Sequence, residues 1–266
     1  MSINQSLSRG LRILEAVGMH GPEVGVRELS RLLEIDKSIV SRLVITLAEQ
    51  GFLEQNPSTR RYRIGPRAFQ VGQRYSQSNP LYQVAYDELH RLAEDENVNV
   101  YMGVRSDTEF MYLCSIQSAQ PSVFRINTGA TGRLHTTSVG KVMLAAMDEA
   151  ALHKLLPRLT LTRLTPYSIT DQASLLADLR KVRQLGYAVS DEENLVGILS
   201  VGVPIRDSSG KVIAAVSSAV SKDRMPVDFM ARMVEITERT AGIISGKLGA
   251  YPGAAFQQFE EPAIAG

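Results

Sequence analysis

The order of elements in the first 66 residues constrains this fold most strongly. Apolar residues recur at steps of three and four over residues 6–19, 26–35 and 37–50, the spacing of amphipathic helices. Two short alternating runs around Asn56-Pro57-Ser58-Thr59 then predict a β-hairpin. Three helices followed by a hairpin are typical of a winged helix-turn-helix.

Each predicted helix has one apolar face that is expected to pack inside this small domain. Gly21-Pro22 ends the first helix, Asp36 is placed to cap the third, and Gly51 fits the third helix's C-terminal cap. The expected apolar faces are Leu7, Leu11, Leu14 and Val17 on the first helix, Leu29, Leu32 and Leu33 on the second, and Val40, Leu43, Val44 and Leu47 on the third.

The third predicted helix carries a polar face opposite its apolar one. Such a helix fits the major groove of DNA, and a basic hairpin tip fits the backbone or minor groove. The alternative is a solvated face on a small helical bundle. The candidate DNA-contacting residues are Lys37, Ser38, Ser41, Arg42 and Ile45 on this helix, and Arg60 and Arg61 near the hairpin tip.

The charge of the chain is divided unevenly. Residues 1–80 hold eleven Lys and Arg against seven Asp and Glu, and ten of the eleven cations are arginine, which suits bidentate phosphate and guanine contacts. The remaining 186 residues carry a net charge of −3. A basic module that meets an anion is therefore predicted at the N-terminus, against the alternative of ordinary scatter in surface charge.

The larger C-terminal part mixes strands and helices. Its alternating runs predict an α+β sheet with one covered face. Strands are predicted over residues 97–104, 110–116, 187–190, 198–205 and 212–221, and helices from about Ser138, over 171–184 and over 228–247.

Composition excludes several other classes. One cysteine, Cys114, rules out a disulfide framework within one chain and Cys-rich zinc sites, and four histidines without a ligand-like pair argue against metal. Cys114 is expected to point inward and be inert. No cofactor or catalytic motif is predicted. Apolar runs too short for a membrane span, with no apolar signal core at the start, predict a cytoplasmic protein.

Three segments in the N-terminal part and three in the C-terminal part resemble the IclR family of bacterial transcriptional regulators. The first three are SLSRGLRILEAV, VRELSRLLEIDKSIVSRLVITLAEQGFLEQ and TRRYRIGPRAFQVG; the others are LHTTSVGKVMLA, LRKVRQLGYAVSDEENLVG and PIRDSSGKVIAAVSSAVS. The family usually has proline where Asp36 stands and often a bulkier polar residue at Ser41, departures that bear on which bases are read.

The resemblance implies an α+β protein of two domains. A winged helix-turn-helix (residues 1–66) would be joined by a linker helix (67–84) to a GAF-like α/β domain for effector binding and oligomerisation (85–248). Residues 249–266, rich in Gly, Ala and Pro, are predicted to form a flexible tail. The resemblance also implies homodimers or homotetramers on palindromic operators, with Arg9 and Arg12 near phosphates.

The family's ligand pocket can be carried over by position. Ser138 and Val139 would offer backbone amides to a ligand carboxylate, with Thr137 beside them; the alternative is that Ser138 only caps its helix. The lack of charged groups at several positions predicts a mid-sized organic acid or an aromatic metabolite as ligand. The candidate effector-binding residues are Thr137, Ser138, Val139, Ser190, Asp191, Ile198, Ser200, Ser217 and Ala219.

The predicted function is thus a ligand-responsive transcriptional regulator of a catabolic operon, which binds double-stranded DNA and a small-molecule effector. Two alternatives remain open on the residues alone. One is an enzyme acting on a small organic acid, which the absence of a placed nucleophile, base or metal set opposes. The other is a sequence-independent DNA-binding protein, for which the N-terminal charge of +4 is low.

Overall fold

The chain divides into two units between Asn79 and Pro80 in the computed structural model, which describes residues 3–118, 125–225 and 229–250. The first unit confirms the predicted order of three helices and a hairpin. Its elements are α1 (Gln5–Met19), α2 (Val26–Leu33), α3 (Lys37–Glu49), the antiparallel strands β1 (Leu53–Gln55) and β2 (Tyr62–Ile64), and α4 (Pro66–Ser78).

The apolar face predicted for α1 is wrong in part. Leu7 is 63% exposed and Leu11 51%, whereas Ile13, Ala16 and Val17 are buried in the domain core. Both sets are spaced at three and four residues, so α1 has two apolar stripes and helical spacing alone does not tell which one faces inward. On α2, Leu29 is buried as expected and Leu32 is exposed.

The linker helix predicted over residues 67–84 is in fact two helices. The first, α4, ends at Ser78, and α5 (Pro80–Glu96) begins after a break at Asn79, whose backbone is extended. The break follows from Pro80, which has no N–H to donate and disfavours helical geometry at the preceding residue.

The second unit is built on one antiparallel sheet of six strands, in the order β5-β4-β3-β8-β7-β6. The predicted strands and helices of this unit are all present within a few residues, and β5, α7 and the part of α5 after residue 84 are additional. Its strands are β3 (Asn99–Ser106), β4 (Glu109–Ile116), β5 (Thr131–Arg133), β6 (Ala188–Asp191), β7 (Ile198–Arg206) and β8 (Val212–Ser221); its helices are α5, α6 (Ser138–Ala145), α7 (Glu149–Leu155), α8 (Gln172–Leu185) and α9 (Phe229–Lys247).

Both faces of this sheet are covered, which corrects the expectation of one covered face. Helices α5 and α9 pack on the face that carries Val100 and Met102. Helices α6 and α8 belong to the core on the other face, which carries Tyr101 and Tyr112. The first five residues of β3 are buried, as expected for a strand with apolar side chains on both sides.

Two further predictions concern the chain's end and membranes. Apart from Gly249 and Ala250, the predicted tail of residues 249–266 lies outside the described residues, as does the predicted start of the last helix at Asp228.

None of the helices that the structure describes combines the length and hydropathy needed to cross a membrane.

Helix α6 approaches β7 so closely that one position there must be glycine. A Cβ atom added to Gly202 would lie 2.6 Å from the carbonyl carbon of Ser138 and 2.7 Å from its carbonyl oxygen, closer than real Cβ contacts. The absence of a side chain at Gly202 therefore sets how near the N-terminus of α6 sits to the sheet.

We predict that Gly202→Ala destabilises the C-terminal unit by about 1–3 kcal/mol, because the new methyl must push α6 away from β7. Gly242→Ala is the matched control: it lies within α9 with open space around it, and alanine there should be neutral or stabilising. Urea denaturation of both variants measures the difference. An equal effect of the two substitutions would contradict the argument from close approach.

Candidate functional site

The polar face of α3 is exposed in the first unit. Asp36 caps the helix as predicted: its Oδ1 accepts hydrogen bonds from the Ser38 N–H at 2.8 Å and the Ser38 hydroxyl at 2.5 Å. These hydrogen bonds lower the pKa of Asp36. Arg42 and Ile45 are exposed further along this face, and Ser41 is half-buried beside them.

The hairpin is fastened to the loop before α2. Both carboxylate oxygens of Glu23 accept hydrogen bonds from the hairpin, one from the Asn56 amide at 2.6 Å and the other from the Thr59 hydroxyl at 2.8 Å. The hydrogen bond from Asn56 is the main cause of a lowered pKa at Glu23. The hairpin therefore has a fixed position on the helical part of its domain.

The predicted DNA-contacting arginines have different surroundings. Arg61 donates to the Glu23 carbonyl oxygen at 2.9 Å and forms an ion pair with Glu28 at 2.6 Å, so it holds the hairpin against α2. Arg60 is exposed at the turn, with a left-handed φ of 58°. Arg12 donates to the Leu33 carbonyl oxygen at 3.2 Å, and Arg9 is half-buried on α1.

A cavity in the second unit lies where α6 meets the sheet, and we call it the α6 pocket. It brings together eight of the nine residues predicted to bind an effector. Its volume is about 50 Å³. The predicted residues that line it are Thr137, Ser138, Val139, Ser190, Ile198, Ser200, Ser217 and Ala219; the others are Tyr101, Tyr112, Ile126, Asn194 and Leu195.

The ninth predicted residue, Asp191, lies outside the α6 pocket. Its side chain is exposed and pairs with the Lys222 ammonium at 2.8 Å. Ser190 and Asp191 are consecutive in β6, so their side chains point to opposite faces of the sheet. The Ser190 hydroxyl points inward and donates to the Thr136 carbonyl oxygen at 2.7 Å.

The N-terminus of α6 offers free hydrogen-bond donors to the pocket. Thr137 is its N-cap, and the Thr137 hydroxyl accepts from the Gly140 N–H at 3.1 Å. Ser138 is therefore not the cap, and its hydroxyl lies 2.9 Å from that of Ser200. Among the described residues, no acceptor bonds the N–H groups of Ser138 or Val139. Such free N–H groups suit an anionic oxygen.

Two buried tyrosines, Tyr101 and Tyr112, also line the α6 pocket. Burial raises the pKa of Tyr101 to about 12, and burial together with the neighbouring Tyr101 raises the pKa of Tyr112 further. Both phenols therefore stay protonated and remain hydrogen-bond donors at neutral pH. Their rings meet edge to face with centroids 5.7 Å apart. The pocket thus combines neutral hydroxyls with aromatic surface.

The residues that line the pocket include no charged side chain, but a buried charge cluster lies next to it. Lys141 on α6 is 1% exposed, and its ammonium donates to Glu193 at 2.5 Å, Asp178 at 2.9 Å and the Val189 carbonyl oxygen at 2.8 Å. Burial raises the pKa of Glu193, and Lys141 opposes that rise. Because Glu193 precedes Asn194 and Leu195, this cluster fixes the loop that lines one side of the pocket.

The described residues contain neither an activated thiol nor a cluster of metal ligands. Cys114 is buried, and burial raises the pKa of its thiol to about 11, which keeps it in the unreactive thiol form. No group of three or more His, Cys, Asp or Glu within these residues is placed to hold a metal ion. The α6 pocket can bind and orient a ligand through neutral donors.

Comparison with known proteins finds a family match for each of the two units. Residues 73–246 match the family described as the bacterial transcriptional regulator IclR C-terminal domain, and residues 6–57 match the IclR helix-turn-helix domain. The chain belongs to the IclR family. It is a DNA-binding transcriptional regulator, and its curated relatives are named as regulators and repressors, not as enzymes.

Similarity to individual IclR-family proteins extends over nearly the whole chain. The transcriptional regulator XynR of Escherichia coli K12 is 29% identical over 95% of this chain and all of its own length. The crystal structure of an IclR regulator from Alicyclobacillus acidocaldarius has a TM-score of 0.84 and 26% identity, covering 93% of this chain and 100% of that one. A homologue from Microbacterium hydrocarbonoxydans, crystallised with 4-hydroxybenzoate, has a TM-score of 0.79 and 23% identity, covering 92% and 99% of the two chains.

Sequence reasoning missed part of the pocket wall. Tyr101 and Tyr112 were not predicted, although each alternates with the apolar residues of its own strand. Period-two alternation places Tyr101 on the face opposite Val100 and Met102, a face that is open if the sheet has only one covered side. Tyr112 alternates with Cys114 and Ile116, which pack on the Val100 face. It turns to the other face because the pairing of β3 with β4 shifts register between Met102 and Gly103. If helices had been expected on both faces of the sheet, these tyrosines would have been predicted to be buried and could have been proposed as lining residues.

We predict that Lys141→Met lowers the stability of the C-terminal unit by about 3–5 kcal/mol, because the buried Glu193 would lose its cation. Lys222→Met is the matched control. Lys222 also pairs with two carboxylates, Asp191 and Glu192, but its side chain is 35% exposed and solvent screens its ion pairs, so its loss should cost much less than the loss of Lys141. Urea denaturation compares them; similar midpoints for the two variants would contradict a special role for Lys141.

Proposed function

We propose that this IclR-family protein is a ligand-responsive regulator whose C-terminal unit senses a small organic acid or an aromatic metabolite. The observation that carries the proposal is that the N–H groups of Ser138 and Val139 have no acceptor among the described residues, and that both residues line a pocket with several hydroxyls. A carboxylate accepts hydrogen bonds from such donors without needing a cationic side chain. The protein works in the bacterial cytoplasm, where its operator is.

The pocket walls favour a ligand with one anionic end and an apolar body. Tyr101, Tyr112, Val139, Ile198 and Ala219 supply apolar or aromatic surface, whereas a highly charged ligand would find no charged side chain among the lining residues. The Microbacterium homologue crystallised with 4-hydroxybenzoate makes that acid the first compound to test.

The size of the α6 pocket suggests how ligand binding is coupled to DNA binding. At about 50 Å³ it has room for a few ordered waters and is much smaller than the roughly 300–1,000 Å³ of most ligand sites. A ring-sized ligand therefore requires its walls to move apart. A ligand that binds only the expanded form shifts the protein toward that form, and the DNA-binding units respond to this shift.

A homodimer would place two copies of α3 on a palindromic operator. Two exposed apolar features of the N-terminal unit support such a partner. Leu7 and Leu11 form an exposed stripe on α1, and Phe69, Val71 and Tyr75 are exposed on α4, in which no residue is buried. A 13-residue helix without packing is marginally stable in water, so α4 needs a partner surface. Assembly of dimers into tetramers would use the C-terminal unit.

The first experiment measures binding of the purified protein to the DNA upstream of its own gene, by fluorescence anisotropy with excess mixed-sequence competitor. Competitor-resistant binding is expected, and Arg42→Ala on the exposed face of α3 should reduce it by at least about tenfold. A panel of aromatic acids, aliphatic organic acids and sugar acids is then titrated. If binding does not survive the competitor, even on sites selected from random DNA, the proposal fails.

We predict that Ser217→Leu abolishes the response to the active compound without loss of operator binding, because leucine fills the α6 pocket. Asp191→Asn is the matched control, since Asp191 lies outside the pocket, and its response should be that of the wild type. Thermal unfolding confirms that both variants fold, and Ser200→Ala, which removes only a hydroxyl, should weaken the response. A response to a highly charged sugar acid alone would contradict the proposed ligand class.

We predict that Leu7→Asp lowers affinity for a two-half-site operator while leaving affinity for a single half-site unchanged, because a charge in the exposed stripe of α1 opposes pairing of two copies. Gln5→Asp adds the same charge on the opposite side of α1 and should change neither affinity. The ratio of the two affinities, measured by anisotropy, tests whether the exposed stripe of α1 pairs two copies of the chain. Equal losses on both DNAs would assign Leu7 to DNA contact or folding instead.

A further inference from the structure

A basic cleft lies beside α3 in the N-terminal unit. It is formed by one face of α2, the start of α3 and the hairpin turn. Four exposed cations line it, of which Lys37 and Arg60 were predicted from the sequence as DNA contacts and Arg27 and Arg31 were not. The carboxylate among the lining residues, that of Glu28, is paired with Arg61 at 2.6 Å.

The four cations are not paired within the part of their domain that the structure describes. Among those residues, the side chains of Arg27, Arg31, Lys37 and Arg60 form no hydrogen bond or ion pair. Arg27 and Arg31 are also four residues apart on one helix, an arrangement of like charges that costs a few tenths of a kcal/mol. Concentrated positive charge that does not stabilise the fold suits an external polyanion.

The position of the cleft identifies which anion fits it. Lys37 is in the first turn of α3, so the cleft begins where the DNA-facing surface of that helix begins. In a helix-turn-helix the helix before the recognition helix crosses the sugar-phosphate backbone. When α3 enters the major groove, the adjoining strand of the duplex passes α2 and the hairpin turn, where the cleft lies.

The ion pair between Arg61 and Glu28 gives the cleft a fixed width. Arg61 comes from the hairpin and Glu28 from α2, and the same guanidinium also donates to the Glu23 carbonyl oxygen. This contact spans the two walls that carry Arg60 on one side and Arg27 and Arg31 on the other. Arg61 is thereby a positioning residue for the cleft.

We propose that this cleft binds the phosphates of one DNA strand, with Arg27 and Arg31 as contacts that set affinity and register and do not read bases. The inference rests on the proposed operator binding and adds residues that recognise the backbone in any sequence. Arginine suits this role because its guanidinium forms paired hydrogen bonds with phosphate oxygens.

The test measures affinity against salt for the double variant Arg27→Ala/Arg31→Ala. Two labelled duplexes are used, the operator and a mixed-sequence duplex about three helical turns long, from about 50 to 200 mM KCl. The expected result is a loss of about tenfold or more on both duplexes, with the operator preference unchanged. The slope of log affinity against log salt should become shallower by about 0.9 for each phosphate that the variant no longer neutralises.

Two matched variants complete the design. Arg180→Ala/Lys181→Ala removes two exposed cations from α8 in the C-terminal unit and should leave the slope unchanged. Arg27→Lys/Arg31→Lys keeps the charge and should retain most of the slope, whereas a base-reading arginine would not tolerate lysine. Because the two arginines have no partners among the described residues of the domain, thermal unfolding of the alanine variant should match the wild type.

The outcomes separate this inference from the proposed function. A wild type with no preference for the operator would refute operator reading, yet the cleft would still be tested on the mixed-sequence duplex. An unchanged slope on both duplexes would overturn the cleft proposal. Loss of operator preference with an unchanged slope would also overturn it, by assigning the arginines to base contacts.

Discussion

The contact between the N-terminus of α6 and strand β7 is the constraint on which the C-terminal unit depends. Gly202 has no side chain, so the backbone of Ser138 can lie against the strand. The close approach brings the Ser138 and Ser200 hydroxyls within 2.9 Å of each other, at a helix N-terminus where the N–H groups of Ser138 and Val139 have no acceptor among the described residues. Backbone packing thus brings polar groups to the α6 pocket, and its apolar surface comes from side chains such as Tyr101, Tyr112, Ile198 and Ala219.

Buried charge then ties this helix to the rest of its unit. Lys141, on the same helix, is bonded to α8, β6 and the loop after β6 at once. An unpaired ammonium at that depth would be strongly unfavourable, so the three partners are held together as a set. The loop residues Asn194 and Leu195 line the pocket directly after Glu193. Movement of the loop therefore has to stretch or break an ion pair, which favours discrete arrangements of the pocket over a continuous range.

The parts of this protein that local chemistry decides were predictable. The N-cap at Asp36, the helix after Thr137 and the strands β7 and β8 depend on neighbours in the chain, and the sequence pattern located them. The covered second face of the sheet did not follow from alternation, because Tyr101 reads as a half-exposed residue until α6 is known to lie over it. Asp191 was misplaced for a related reason: matching by position does not tell which of two adjacent strand residues faces inward. The two apolar stripes of α1 show the same limit on a helix.

The charges of the N-terminal unit fall into two groups with different physical roles. Glu23, Glu28 and Arg61 are satisfied within the domain and fix the hairpin on the helices. Arg27, Arg31, Lys37 and Arg60 are exposed around the cleft and leave their charge directed at solvent. Folding does not explain the second group, because like charges in one cleft oppose it. The net charge of +4 over residues 1–80 therefore understates the local charge, since four exposed cations line the cleft and the carboxylate among its lining residues, Glu28, is paired with Arg61. The distribution of charge, more than its total, favours the binding of duplex DNA at this surface.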